Sequence, residues 1–104
     1  MGLSALFGGG KENGDIEAYL NEGALVIDVR TVAEFEAGHV EGSENVVLQT
    51  IPGKVEALKS LNKKIIAVCR TGARSGQATS FLKQRGIDII NGGPWEDVAK
   101  FTEN

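Results

Sequence analysis

A chain of 104 residues, 41% of them apolar, can bury one hydrophobic core and is too short for two domains. Charged residues at 24% and a net charge of -3 separate it from disordered chains and argue against nucleic acid or an acidic membrane surface as a partner. One cysteine excludes an internal disulfide, and one histidine at no ligand spacing from it argues against a metal site.

The first twelve residues contain Gly8, Gly9 and Gly10 and read as a flexible N-terminal arm ahead of a domain over residues 13–104. They lack the basic start and long apolar stretch of a secretory signal, and Leu6 stands where a myristoylation motif wants Ser or Thr. No apolar run approaches the length of a membrane span. A free thiol suits a reducing compartment, so the expected location is the cytoplasm.

The domain then alternates. Asp15–Asn21 carries Ile16, Tyr19 and Leu20 at helical spacing and stops at Gly23. Ala24–Val29 is an apolar, β-branched run. Thr31 and Glu34 have the spacing of a capping box, which predicts a helix from Thr31 to Ala37 closed by Gly38. Val46–Leu48 is a second apolar run. Val55, Leu58 and Leu61 form a stripe after Pro52-Gly53, and Ile65–Val68 is a third run. Ala78, Phe81 and Leu82 mark a helix over Ser75–Arg85, followed by a fourth run at Ile87–Ile90. Asn91–Pro94 ("NGGP") reads as a turn into a short last helix near Trp95–Phe101. Near-continuous β-branched runs separated by helices predict an α/β domain whose central sheet is parallel and covered on both faces.

The cysteine lies just past one of those strands. In parallel sheets the ligand crevice opens beyond the C-terminal strand ends, where the next helix also points its N-terminus. In "IIAVCRTGARSG" the segment Arg70 to Arg74 can wrap its N–H groups around one point, with Gly72 allowing the turn. Aligned amides, a helix start and two nearby arginines all favour thiolate over thiol. Cys69 is therefore read as a reactive, anion-facing nucleophile rather than a buried core residue. Cysteine phosphatases use C-x5-R, whereas here Arg74 completes C-x4-R. A ring this small suits one sulfur atom on the cysteine better than a tetrahedral phosphate.

Three segments, "LVIDVRTVAEFEAGHVEGSENV", "IIAVCRTGARS" and "NGGPWEDV", together give a chain that resembles the single-domain rhodanese-type sulfurtransferases from about Ile16 to Phe101. That resemblance implies a rhodanese-like three-layer α/β domain, with a mostly parallel sheet of four to five strands and helices on both faces. It implies Cys69 as a nucleophile that takes sulfane sulfur from a donor such as thiosulfate and passes it to cyanide or another thiophilic acceptor. The backbone from Arg70 through Thr71, Gly72 and Ala73 to Arg74 would then cradle the persulfide and the donor's anionic part. Thiosulfate-using members tend to carry basic residues in this loop.

No cofactor or metal is implied. The expected partners are a small sulfur donor and acceptor, with a protein acceptor as the alternative, and the expected state is a monomer or weak dimer. A persulfide-carrying or anion-sensing module that turns over poorly alone is the competing function. A phosphatase or arsenate-reductase-like enzyme is disfavoured by the loop length.

Among the other polar residues, Arg30 and Glu34 are placed to pair at i, i+4. Asp28 could accept N–H bonds from a neighbouring loop. His39 is read as a structural hydrogen-bonding group, and Trp95 as a packing aromatic or a rim residue.

Overall fold

The computed structural model describes residues 13–102; the expected N-terminal arm over residues 1–12 lies outside them. In chain order the elements are α1 (Asn13–Asn21), β1 (Leu25–Asp28), α2 (Val32–Ala37) and β2 (Glu44–Asn45), then a 3-10 segment (Leu48–Lys54) running into α3 (Val55–Ser60). The second half holds β3 (Ile65–Cys69), α4 (Ala73–Lys83), β4 (Ile89–Pro94) and α5 (Trp95–Thr102). Among the described residues the sheet has four strands in the order β2-β1-β3-β4, every pair parallel.

The central strands are apolar throughout because both of their faces are covered. All five residues of β3 are buried, and they alternate between two cores. Ile65, Ala67 and Cys69 pack with Ile51, Leu58, Ala78 and Leu82 beneath the 3-10 segment, α3 and α4. Ile66 and Val68 pack with Ile16, Val98 and Ala99 from α1 and α5 on the other side. This is the expected three-layer, rhodanese-like architecture.

Some of the expected elements need correction. Asn91–Pro94 is not a turn but the end of β4. The ladder between β3 and β4 skips a residue there: Ala67 pairs with Asn91, and Val68 with Gly93. Gly92 is the extra residue of this bulge, and only glycine fits, because a Cβ would come within 2.7 Å of Ile66 and 2.9 Å of Val98. Leu61, expected in the third stripe, falls past the end of α3 and is 46% exposed. Pro52 lies within the 3-10 segment that leads into this helix, so less of the stripe is α-helical than its spacing suggested.

At the other end of the sheet, the Tyr19 hydroxyl donates to Asp88 Oδ1, and Lys64 Nζ donates to Asp88 Oδ2 at 2.8 Å. These contacts fasten α1 to the segments that enter β3 and β4. No helix of the described residues is long and apolar enough to cross a membrane.

Candidate active site

β3 delivers Cys69 to the C-terminal edge of the sheet with its side chain fully buried. The chain turns back at Gly72, which adopts φ 103°, a left-handed conformation that a side chain would strain, and α4 begins at the next residue. A Cβ at Gly72 would also press on Gly93 Cα at 3.3 Å, so the loop lies directly against the end of β4. This turn folds the N-terminal amides of α4 back over the sulfur. Cys69 Sγ accepts N–H bonds from Gly72 at 3.0 Å and from Ser75 at 3.3 Å, with the Ser75 hydroxyl also at 3.3 Å.

Burial works against a charged sulfur. The Ser75 hydroxyl and the N–H groups of Ser75, Gly72 and Thr71 outweigh it, and the Cys69 thiol sits below its ordinary value.

The two loop arginines differ. Arg70 is exposed. Arg74 makes a bidentate ion pair with Glu34, Nη1 to Oε1 at 2.9 Å and Nη2 to Oε2 at 3.0 Å. Thr71 and Ala73 are exposed, and Thr71 Oγ1 accepts the Ala73 N–H at 3.4 Å. Glu34 does not pair with Arg30 as its spacing suggested. Its carboxylate completes the predicted capping box, accepting from the Thr31 N–H at 3.0 Å while the Thr31 hydroxyl accepts the Glu34 N–H at 3.2 Å. Arg30 instead grips Asp28, with Nε to Oδ1 at 2.8 Å and Nη2 to Oδ2 at 2.7 Å. The Asp28 carboxylate accepts from this side chain and from the Arg30 N–H rather than from a neighbouring loop.

The Arg74 hydrogen bonds, with help from the Thr31 N–H, pull the Glu34 carboxyl from 4.5 to about 2. A carboxyl whose folded value is depressed adds stability above its unfolded value and loses it as pH falls through the folded one. Wild type should therefore exceed Glu34→Gln in urea midpoint above pH 4.5, with the gap closing as pH falls towards about 2. Urea titrations of both proteins across that window check this, and a gap independent of pH would contradict it.

Two groups at the sulfur were not singled out from the sequence. Ser75 reads from the sequence as the start of a helix, and in the structure its hydroxyl lies 3.3 Å from Sγ. Asn91 reaches from β4 to the loop, donating from Nδ2 to the Gly72 carbonyl at 3.1 Å. Nothing in "INGGP" marks Asn91 as part of a site, because the groups it meets, Ser75 and the Gly72 carbonyl, are distant in sequence. His39 is structural as expected: Nδ1 lies 2.7 Å from the Phe35 carbonyl, and its ring stacks on Phe35 at 3.8 Å. Trp95 packs against the α1 and α5 side of the core and Gly38, with the Arg30 guanidinium 5.1 Å from its ring centroid. Clefts of about 720 and 420 Å³ open elsewhere, at Asn62 and Asp88 and beside β2, and neither is lined by Cys69.

A buried sulfur at the C-terminal edge of a parallel sheet, met by N–H donors at a helix start, defines an α/β domain with its one cysteine at the head of a helix. The chain belongs to the family of rhodanese-like domains, whose model matches residues 12–96. It is 31% identical over 75 residues to the thiosulfate sulfurtransferase PspE of Escherichia coli, covering 70% of this chain and 72% of that one. It is also 31% identical over 80 residues to the tRNA uridine(34) hydroxylase of Listeria monocytogenes, covering 72% of this chain and 25% of that protein. It spans from a quarter to about half the length of the first curated relatives it matches. Among solved structures, a rhodanese-related protein from Thermoplasma volcanium superposes with a TM-score of 0.73 at 26% identity, covering 88% of this chain and 90% of that one.

Proposed function

We propose that this domain is a sulfurtransferase that moves sulfane sulfur from thiosulfate to cyanide or another thiophilic acceptor through a persulfide on Cys69. The observation that carries this reading is the convergence of the Gly72 and Ser75 N–H groups on Sγ at the head of α4. Such donors stabilise a thiolate and, after transfer, the anionic outer sulfur of a persulfide. The thiolate attacks the sulfane sulfur of thiosulfate, a new S–S bond forms on Cys69, and the bond to the sulfonate sulfur breaks as sulfite leaves with the electron pair. Cyanide then attacks the outer sulfur, a C–S bond forms, and the thiolate is regenerated. No base is needed beside an ionised thiol, which fits a structural role for His39. No metal or cofactor enters either step. A free thiol of this kind suits the cytoplasm.

Arg70, Thr71, Gly72, Ala73 and Arg74 form the donor-binding ring in this scheme, with unequal duties for the arginines. Arg70 is exposed at the mouth and meets the dianion; Arg74, tied to Glu34, braces the ring. Arg70→Ala should raise the KM for thiosulfate about ten- to a hundredfold, the cost of one charge-assisted hydrogen bond. Arg74→Ala should slow persulfide formation as well. Wild type should use thiosulfate better than 3-mercaptopyruvate, and steady-state kinetics with both donors test all three statements. Equal or better use of mercaptopyruvate by wild type would assign the arginines to another substrate.

The deciding experiment incubates the protein with thiosulfate, measures intact mass, and assays thiocyanate after cyanide is added. A gain of one sulfur with thiocyanate turnover is the expected result. A gain of sulfur without turnover would favour a persulfide carrier that hands its sulfur to a protein partner. No gain would reject both.

A further inference from the structure

The hydrogen bonds around Asn91 fix the direction of a proton beside the sulfur. Asn91 Nδ2 faces the Gly72 carbonyl at 3.1 Å, and Oδ1 faces the Gly93 N–H at 3.0 Å. A carbonyl only accepts and a backbone N–H only donates, so the carboxamide has a single orientation. Ser75 Oγ lies 2.7 Å from Oδ1, an atom with no hydrogen of its own, so that bond takes the one hydroxyl proton of Ser75. Oγ is left with lone pairs towards Cys69 Sγ, 3.3 Å away. While Cys69 is a thiol, the chain of donors runs from S–H to Ser75 to Asn91. Once the sulfur is charged, two acceptors compete for a single proton.

We infer that Asn91 is a positioning residue: it holds the Ser75 hydroxyl proton away from the uncharged sulfur, and this proton must swing to Sγ when charge appears there. Asn91 thereby sets how readily Cys69 ionises. On ionisation the thiol proton leaves to solvent, the Ser75 O–H rotates from Oδ1 to Sγ, and Oδ1 keeps the Gly93 N–H. Asn91 pairs in register with Ala67 on the α4 side of the sheet, and the bulge at Gly92 follows it and resets the register of Gly93, whose N–H meets Oδ1. The surrounding charged groups are Arg70 and Arg74 of the loop, Glu34 of α2 that pairs with Arg74, and the Asp28–Arg30 pair at the end of β1. β4 adds no titratable residue, nor does α4 between Arg74 and Lys83. The inference rests on Cys69 being the reacting sulfur but not on which donor it uses.

The test is a pH titration of thiolate absorbance, which reports Cys69 alone because the chain has one cysteine. Asn91→Ala should lower the midpoint by about one pH unit, as the Ser75 proton becomes free to serve the thiolate. The Gly72 carbonyl would keep the Gly76 N–H at 2.9 Å, which preserves the loop. In a Ser75→Ala background the same substitution should leave the midpoint in place. An Asn91 that merely tethered Gly72 would shift both backgrounds alike; that outcome, or an upward shift with Ser75 present, would overturn the inference. In the wild-type protein the side-chain amide signals of Asn91 should move with the midpoint of the absorbance. Signals that stay fixed while the thiol titrates would overturn it without any variant. The titration needs no sulfur donor, so inactivity with thiosulfate would reject the proposed reaction and leave this result standing.

Discussion

Cys69→Ser is expected to remove sulfur transfer, lowering turnover by at least about a thousandfold, because a hydroxyl stays un-ionised where a thiolate is required. The fold should survive. Serine is close to cysteine in size, and the Gly72 and Ser75 N–H groups that now point at Sγ would find an oxygen in nearly the same place. Thermal unfolding should therefore stay near that of wild type, while intact mass after thiosulfate treatment gains nothing. Substantial thiocyanate production by the variant would move the nucleophile away from Cys69, and since there is no second thiol, would exclude cysteine persulfide chemistry altogether.

The largest loss of stability is expected from Arg30→Ala. Asp28 is 0% exposed and Arg30 5%, and the two share three side-chain hydrogen bonds between 2.7 and 3.1 Å. Arg30 Nη2 also donates to the Gly38 carbonyl at 2.7 Å. Removing the guanidinium leaves a buried carboxylate with only the Arg30 N–H at 3.1 Å, and breaking such a pair from one side costs about 3–5 kcal/mol. Against a typical domain stability of about 5–15 kcal/mol, that is a large fraction. Urea unfolding should give a much lower midpoint with an unchanged slope. Replacing both partners by apolar residues, as in Asp28→Leu with Arg30→Met, should recover part of the loss, since no unpaired charge remains. A single-variant loss under about 1 kcal/mol would mean that Asp28 finds other partners or water.

The β-branched runs made the three longer strands legible in the sequence, because strands covered on both faces need no polar alternation. β2 was not placed: the apolar residues Val46–Leu48 follow the two-residue strand Glu44–Asn45. Val46 N–H bonds the Asp28 carbonyl, and the chain then enters the 3-10 segment at Leu48. The end of β4 was misread because Gly-Gly-Pro carries the composition of a turn. What it serves is close packing, with Gly92 pressed on Ile66 and Val98 and Gly93 on the cysteine loop. At the site, Cys69 and its loop stood out from local spacing alone. The ion pairing did not, since Arg74 and Glu34 are 40 residues apart in sequence and meet only because β1 and β3 are neighbours. The i, i+4 rule favoured Arg30 for Glu34, but Asp28, two residues back and wholly buried, had the greater need of a cation. Asn91 falls on the α4 face by alternation from Ile89, but Ser75 and the Gly72 carbonyl, which it meets, lie 16 and 19 residues away, beyond any local spacing.

Glu34 closes the first turn of α2 and also holds Arg74 at the end of the cysteine loop. A residue with two duties is a pleiotropic position: no substitution there can adjust the brace of the cysteine loop without also altering the cap of α2. In a library randomised at position 34, variants should fall along one line, with robustness and turnover rising and falling together. Changes that retune the chemistry while sparing the scaffold must come from residues such as Arg70, whose side chain carries no part of the fold.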